Sequence, residues 1–480
     1  MAKVAALGLD PKRLAATMLH YAREDFSIFV QGAYRVLHDD PLMRNWHIDA
    51  IAHQLMRLAR GEERRLIISM PPRTMKSFIA STCLPAWLLG RNPAEKIICA
   101  SYAQELSREF SFQTRRLMQS DWYRRVFPAV RLHPKKMGLD ELAMTRGGSR
   151  FATSTGGTLT GRGGTFIIID DPIKAQEAHS EVTREAAVNW FRSTVLSRLN
   201  NPRSGRILLV AQRLHMEDLS GQLLAQGGWH ELCLPLINDR DQLVHLPDGY
   251  QLERPAGTVL HPDRFGDAEI AQLRAAMGTR DFEAQYNQRP VPPGGALFQL
   301  QWLQRYDTPP KPSSIQGIFQ SWDTGYEIQE ENDYSVCSTW ALCGKDCYLL
   351  DIYRARLAFY QLEKAVYEQR ERWKADLVIV ERHGAGISLY QNIRQLGGRR
   401  WLDAKMPVGS KEDRASQQSP KFERGEIWVP REAAWLKTFE DELSSFPQCK
   451  HDDQVDSVVQ FLASVDTGRL PSRADLARRR

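Results

Sequence analysis

The chain has 480 residues, more than one hydrophobic core usually supports, so two domains are expected. Hydrophobic residues at 42% and charged residues at 25% exclude a disordered or fibrous polymer. A net charge of +6, from 64 basic and 58 acidic residues, permits nucleic-acid contact without requiring it. The first residues, MAKVAALGLDPKRLAATMLH, lack the apolar core of a signal peptide, and no run approaches the roughly 20 apolar residues of a membrane span. Seven scattered cysteines complete neither a disulfide framework nor a zinc site. These features predict a cytosolic protein in a reducing compartment, with no membrane partner.

Residues 1–60 read as a helical region, with Trp46 to Leu58 at helical spacing. From 61 to 288, short apolar strands alternate with amphipathic helices: LIISM (66–70), IICASYA (97–103), FIIID (166–170) and RILLVA (206–211). Continuous apolar strands are buried on both faces, so a parallel sheet covered by helices is expected. Residues 289–315 are rich in proline and glycine and read as a linker. Over 316–466 the pattern restarts with three antiparallel strands (319–323, 334–343, 347–355), a helix (359–373), the strand LVIVE (377–381) and a second helix (385–396). That order is the order of a ribonuclease-H-like fold. A basic tail, 467–480, ends the chain.

Two groups of residues carry chemistry. In the first, strand 66–70 runs through PPRTMKS into a helix, and Lys76-Ser77 stand where a phosphate-binding loop puts its lysine and its magnesium-binding hydroxyl. The pattern G-x-x-x-x-G-K-[ST] is not met, because Met70 and Met75 hold the glycine positions. FIIIDD ends a buried strand in two carboxylates, costly unless a cation or solvent satisfies them. Asp170 would hold magnesium through water, and Asp171 would activate the attacking water. Arg162, in the glycine-rich segment 156–164, is suited to stabilise charge on a transferring phosphoryl group. Gln212 and Arg213 follow RILLVA at the same sheet edge, where they could sense a γ-phosphate.

In the second group, Asp323 ends an apolar strand, Glu381 ends LVIVE, and HDDQVD (451–456) opens a late apolar helix. One carboxylate from each of three elements is the arrangement that holds two magnesium or manganese ions for phosphodiester hydrolysis. Asp453 leads as ligand and Asp456, one turn on, shares the metal; the residues do not rank Asp452, Asp453 and Asp456 firmly. Asp333 is a secondary candidate. Lys411, Arg414 and Lys421 form a basic segment placed to contact a DNA backbone, or simply a solvated loop.

From about residue 40 to 465 the chain resembles the large subunit of tailed-phage DNA-packaging terminases. The resemblance rests on MPPRTMKS, SYAQELSREF, GGTLTGRGGTFIIIDDP, AQRLHMEDLSG, FEAQYNQRPVPPGGALF, WDTG, GSKEDRASQQSPKFERGEIWVP and FPQCKHDDQVDSVVQFL. It implies an α/β chain with an N-terminal P-loop (ASCE-type) ATPase domain and a C-terminal RNase H-like nuclease domain. Arg73, Thr74, Lys76 and Ser77 match its Walker A segment, Asp170 and Asp171 its Walker B pair, and Arg162 its arginine finger. Gln212 with Arg213 matches the coupling motif, and Asp323, Glu381 and Asp453 match the nuclease carboxylates. Met75 departs from the usual glycine, and Asp171 is one methylene shorter than the commoner glutamate. The implied cofactors are ATP and Mg2+ or Mn2+, two ions at the nuclease site. The implied partners are double-stranded DNA, the small terminase subunit, the portal and further copies in a docked ring, monomeric in solution, all in the cytoplasm of a bacterial host. Met70 and Met75 also leave open a non-catalytic DNA- or portal-docking protein with a degenerate phosphate loop.

Overall fold

The computed structural model describes residues 11–159, 161–290, 297–325, 334–407, 409–449, 451–466 and 470. Asp333 and almost all of the basic tail lie outside them. The chain divides into two compact units, Met1–Leu273 with Arg280–Pro292, and Arg274–Thr279 with Pro293–Arg480.

In the first unit the strands are β1 (Arg65–Ser69), β2 (Lys96–Ser101), β3 (Leu132–Met137), β4 (Glu141–Met144), β5 (Ser149–Ser154), β6 (Phe166–Asp170), β7 (Arg206–Ala211) and β8 (His230–Cys233). They form one sheet in the order β3-β4-β5-β2-β6-β7-β1-β8, while β9 (Gln242–His245) and β10 (Gln251–Arg254) make a separate hairpin. From β5 to β8 every pairing is parallel. Burial on both faces explains why β6 and β7 read as unbroken apolar runs, with Ile167, Ile169, Ile207 and Leu209 fully buried. Because β7 separates β1 from β6, the loop leaving β1 and the acids ending β6 meet across one intervening strand.

The second unit is built on a seven-stranded sheet. Its strands are β11 (Gln304–Tyr306), β12 (Gly317–Asp323), β13 (Ser335–Cys343), β14 (Asp346–Ala355), β15 (Leu377–Glu381), β16 (Leu402–Lys405) and β17 (Ile427–Pro430), in the order β11-β17-β14-β13-β12-β15-β16. β12, β13 and β14 are antiparallel neighbours, and β15 joins β12 in parallel. Side chains alternate between the faces with period 2. Trp322, Val378 and Val380 pack with Leu362 and Val366 of the helix Phe359–Trp373 and with Leu389 of the helix Ala385–Gln395. Phe319, Leu377 and Ile379 face the other way, towards Val455, Val458 and Leu462 of the helix Asp453–Asp466. Phe461 stacks on Trp340 there, with centroids 4.6 Å apart. The same alternation puts Asp323 and Glu381 on the face of the Asp453–Asp466 helix.

Sequence periodicity misses the short strands β3, β4, β5, β16 and β17, whose burial is mixed. The helix expected after PPRTMKS is a π-helix, Phe78–Cys83, followed by an α-helix, Leu84–Arg91. Pro85 accounts for part of this difference, since it has no N–H to offer Ser81's carbonyl. The guanidinium of Arg150 donates to that carbonyl instead, at 3.2 Å.

Candidate nucleotide and metal sites

In the first unit, a cavity of about 670 Å³ opens at the carboxyl ends of the strands. Arg73, Met75, Lys76, Ser77, Asp171 and Gln212 line it, against an apolar wall that includes Phe78, Tyr102 and Phe110. Lys76 is almost fully buried, and its ammonium lies 3.0 Å from Asp171. Asp171 also accepts from the backbone N–H of Gln212, at 3.2 Å, while the Oε1 of Gln212 is buried without a hydrogen-bond partner. The hydroxyl of Ser77 donates to Asp170 at 3.0 Å, and that of Ser81 donates to the second oxygen at 2.6 Å. The π-helical turn carries Ser81 to this point.

Burial and the adjacent Asp171 charge push the Asp170 carboxyl up to about 7, against the opposing pull of Lys76 and the two hydroxyls. A hard oxygen set that holds uncompensated negative charge suits a magnesium ion beside a nucleotide's phosphates. Thr74 is turned away from the cavity, and its hydroxyl closes the loop on the carbonyl of Pro71, at 2.7 Å.

Two sequence-predicted arginines also do not line this cavity. Arg162 pairs with Glu141 at 3.0 Å and lies over the ring of Phe151. Arg213 is held by Asp218 at 3.1 Å, and Asp218 in turn accepts from the N–H of Gly221 to cap the helix Leu219–Gln226. That guanidinium is engaged by its own loop, so an approach to a γ-phosphate requires it to leave Asp218. Lys174 and Gln176, which sequence reasoning passed over, line the cavity. Their only signal was position, a few residues past the two aspartates.

The phosphate loop is bent where glycine would be easy. Arg73 and Met75 have φ values of 62° and 66°, and Asp171 has 44°. A side chain in that left-handed region costs about 1–2 kcal/mol. Glycine's greater unfolded-state freedom takes back part of that gain. Met75→Gly is therefore expected to stabilise the nucleotide-free chain by roughly 0.5–1 kcal/mol in calorimetric unfolding. A loss of stability would show that Met75 is packed there rather than strained.

In the second unit, Asp323, Glu381, Asp453 and Asp456 converge on one sheet edge. Burial, then the charges of Asp456, Glu381 and Asp453 in that order, hold the Asp323 carboxyl well above the ordinary carboxylate range. Asp456 therefore weighs on Asp323 more than Asp453 does. Both are buried in the first turn of their helix, whereas Asp452 precedes it and pairs with Lys411 at 2.7 Å. Glu442, invisible to the motif reading, sets where this helix begins: its Oε1 accepts from the N–H groups of Gln454 and Val455, at 2.7 and 3.1 Å. Gly386 is required because a Cβ there would stand 2.0 Å from the carbonyl of Glu381.

The basic segment is a helix, Lys411–Glu423, and its first two cations point into the carboxylates rather than towards a DNA backbone. Arg414 bridges Glu381 at 3.0 Å and Asp456 at 3.4 Å, and Lys411 reaches Asp456 at 2.7 Å. Lys421 is buried, donating to the carbonyl of Leu462 and pairing with Asp466. Charge attraction in a desolvated pocket explains the correction. Among the described residues, no group of three or more His, Cys, Asp or Glu side chains stands ready as an ion's ligand shell. Five carboxylates nonetheless face two cations here, and an all-oxygen set with that excess suits divalent magnesium or manganese.

Arg414→Gln leaves Glu381 without its cation and Asp456 with Lys411 alone, and is expected to destabilise the metal-free second unit by about 3 kcal/mol. Mn2+ should recover most of that loss, because it can neutralise the same oxygens. Melting curves in chelator and in Mn2+ check this, and equal melting of variant and wild type in chelator would contradict it.

Residues 320–464 match the family model described as Terminase RNaseH-like domain. No curated protein matches the sequence. Among solved structures, the chain is similar to the large terminase of a thermophilic bacteriophage. One crystal form of that protein gives a TM-score of 0.54 at 12% identity, covering 87% of this chain and 98% of that one. The same protein in complex with ADP gives 0.52 at 12% identity, and in complex with ATP-gamma-S 0.52 at 13%, each covering 86% of this chain and 98% of that chain. At such identities the likeness is one of fold. Among the described residues no helix is long and apolar enough to cross a membrane. Residues 320–464 thus match a terminase RNase H-like domain, and the chain is similar in fold to a phage large terminase.

Proposed function

We propose that the protein is the large subunit of a DNA-packaging terminase, which hydrolyses ATP to drive double-stranded DNA into a procapsid and cuts concatemeric DNA with a metal-dependent nuclease. The observation that carries the reading is the placement of two separate acidic sites in two compact units. In one, Lys76 and Ser77 meet Asp171 and Asp170 at 3.0 Å each. In the other, Asp323, Glu381, Asp453 and Asp456 gather in the RNase H-like domain.

In the first site Lys76 and the loop's N–H groups bind the phosphates, Ser77 and Asp170 hold Mg2+, and Asp171 takes the proton of the attacking water. Arg73 and Thr74 shape the loop. Lys76 must leave Asp171 for the phosphates, which frees that carboxylate as base. Gln212 touches both Asp171 and the cavity, so it links nucleotide state to β7. Arg162, outside its own chain's cavity, serves as a finger to a neighbouring subunit in a ring docked on the portal.

In the second site, Asp323 and Glu381 hold the ions with Asp453 and Asp456, while Arg414 and Lys411 swing off the oxygens they now occupy. Two bound Mg2+ or Mn2+ ions supply an activated water and stabilise the leaving oxygen. The small terminase subunit and the portal are the remaining partners, met in the cytoplasm of a bacterial host.

A second reading, a docking protein with a dead phosphate loop, draws on the positive φ of Arg73 and Met75. Purified protein assayed for ATP hydrolysis, with and without DNA, and for plasmid nicking in Mn2+ separates the two. Absence of any hydrolysis would favour the docking protein.

A further inference from the structure

Arg354 and Arg356 are used by none of the roles above. Arg354 lies in the same row of the sheet as Asp323: Asp323 pairs with Val336 across β12 and β13, and Val336 pairs with Arg354 across β13 and β14. Register partners share a face, so Arg354 stands on the carboxylate face two strands away, roughly 10 Å at ordinary strand spacing.

Both guanidiniums pack on the ring of Tyr334, at 3.9 Å for Arg354 and 4.7 Å for Arg356. His451, next to Asp452, closes on the same ring edge-on at 5.4 Å, and its buried Nδ1 has no hydrogen-bond partner. Two like charges on one ring are unfavourable unless an anion answers them. Glu442 answers Arg354, at 3.8 Å. Among the described residues no carboxylate pairs with Arg356, which is exposed.

We propose that Tyr334, Arg354 and Arg356 form a backbone clamp for the DNA strand entering the nuclease site, with Arg356 on a phosphate. The inference rests on the nuclease reading of the Asp323 site. Arg354, fixed by Glu442, and the Tyr334 ring position Arg356, and the aromatic face limits the rotamer freedom that binding a phosphate would otherwise remove. A contact to phosphate gives affinity and register but no sequence preference.

The test uses the full chain with Arg356→Ala and Arg356→Lys. Binding of a short fluorescent DNA duplex is followed by anisotropy in Ca2+ over a salt series, and plasmid cleavage is measured in Mn2+. Arg356→Ala is expected to weaken binding about tenfold and to lower the slope of log affinity against log salt by about one. It should raise KM with kcat kept, and leave ATP hydrolysis unchanged. Arg356→Lys keeps the slope. Unchanged slope and KM in Arg356→Ala would overturn the clamp while leaving the nuclease standing, as would a slope lost equally in both variants. If wild type binds duplex but never cleaves, the nuclease reading fails and the salt slope alone still decides the clamp.

Discussion

Asp323→Ala is expected to lower metal-dependent DNA cleavage by at least about 10³-fold, because a bound metal contributes several kcal/mol of transition-state charge stabilisation and each 1.36 kcal/mol is tenfold in rate. Asp323 is the acid on which its neighbours' charges converge, with Asp456, Glu381 and Asp453 all raising it. The variant should not lose stability in chelator. A buried carboxyl that is held above its ordinary range works against folding at neutral pH, so the metal-free variant, which lacks it, is expected to melt no lower than wild type there. The sign follows from the direction of the shift. A carboxyl whose folded pKa is raised stabilises the fold fully below its unfolded value and loses that stabilisation as pH rises through the folded value. ATP hydrolysis should be untouched. Undiminished cleavage would remove Asp323 from the site.

Lys76→Ala is expected to lower ATP hydrolysis by about 10²–10³-fold, the range seen when one preorganised donor to developing charge is lost. Lys76 places its ammonium at hydrogen-bond distance from Asp171, and its charge also restrains the raised Asp170. Its loss leaves two adjacent aspartates facing each other, so magnesium-dependent nucleotide binding should weaken along with turnover. Nicking in Mn2+ should persist at the wild-type rate. Retained ATPase activity in Lys76→Ala would sink the phosphate-loop assignment.

What the sequence discloses is set by range. Asp170, Asp323 and Glu381 are legible because each ends an apolar strand, where a charge is costly and therefore informative. The alternation of 319–323 and 377–381 even fixes the face on which two of them lie. The parallel order of β2, β6, β7 and β1 is consistent with their unbroken apolar runs. The rest depends on contacts between segments distant in sequence. Arg414 reaches Glu381 across 33 positions and Asp456 across 42, so nothing local separates it from a solvated arginine. Glu442 caps a helix that starts 11 residues later, and Arg150 serves a carbonyl 69 positions away. Arg213 shows the converse: a local motif places it at the sheet edge, while Asp218, five positions on, engages its charge within its own loop.

The proposed function requires one chain to hold two independent hydrolytic sites. The direct measurement is ATP hydrolysis and Mn2+-dependent plasmid nicking, run in parallel on wild type, Lys76→Ala and Asp323→Ala. Wild type is expected to do both, Lys76→Ala to keep only nicking, and Asp323→Ala to keep only ATP hydrolysis. Loss of both activities in either folded variant, or neither activity in wild type, would contradict it.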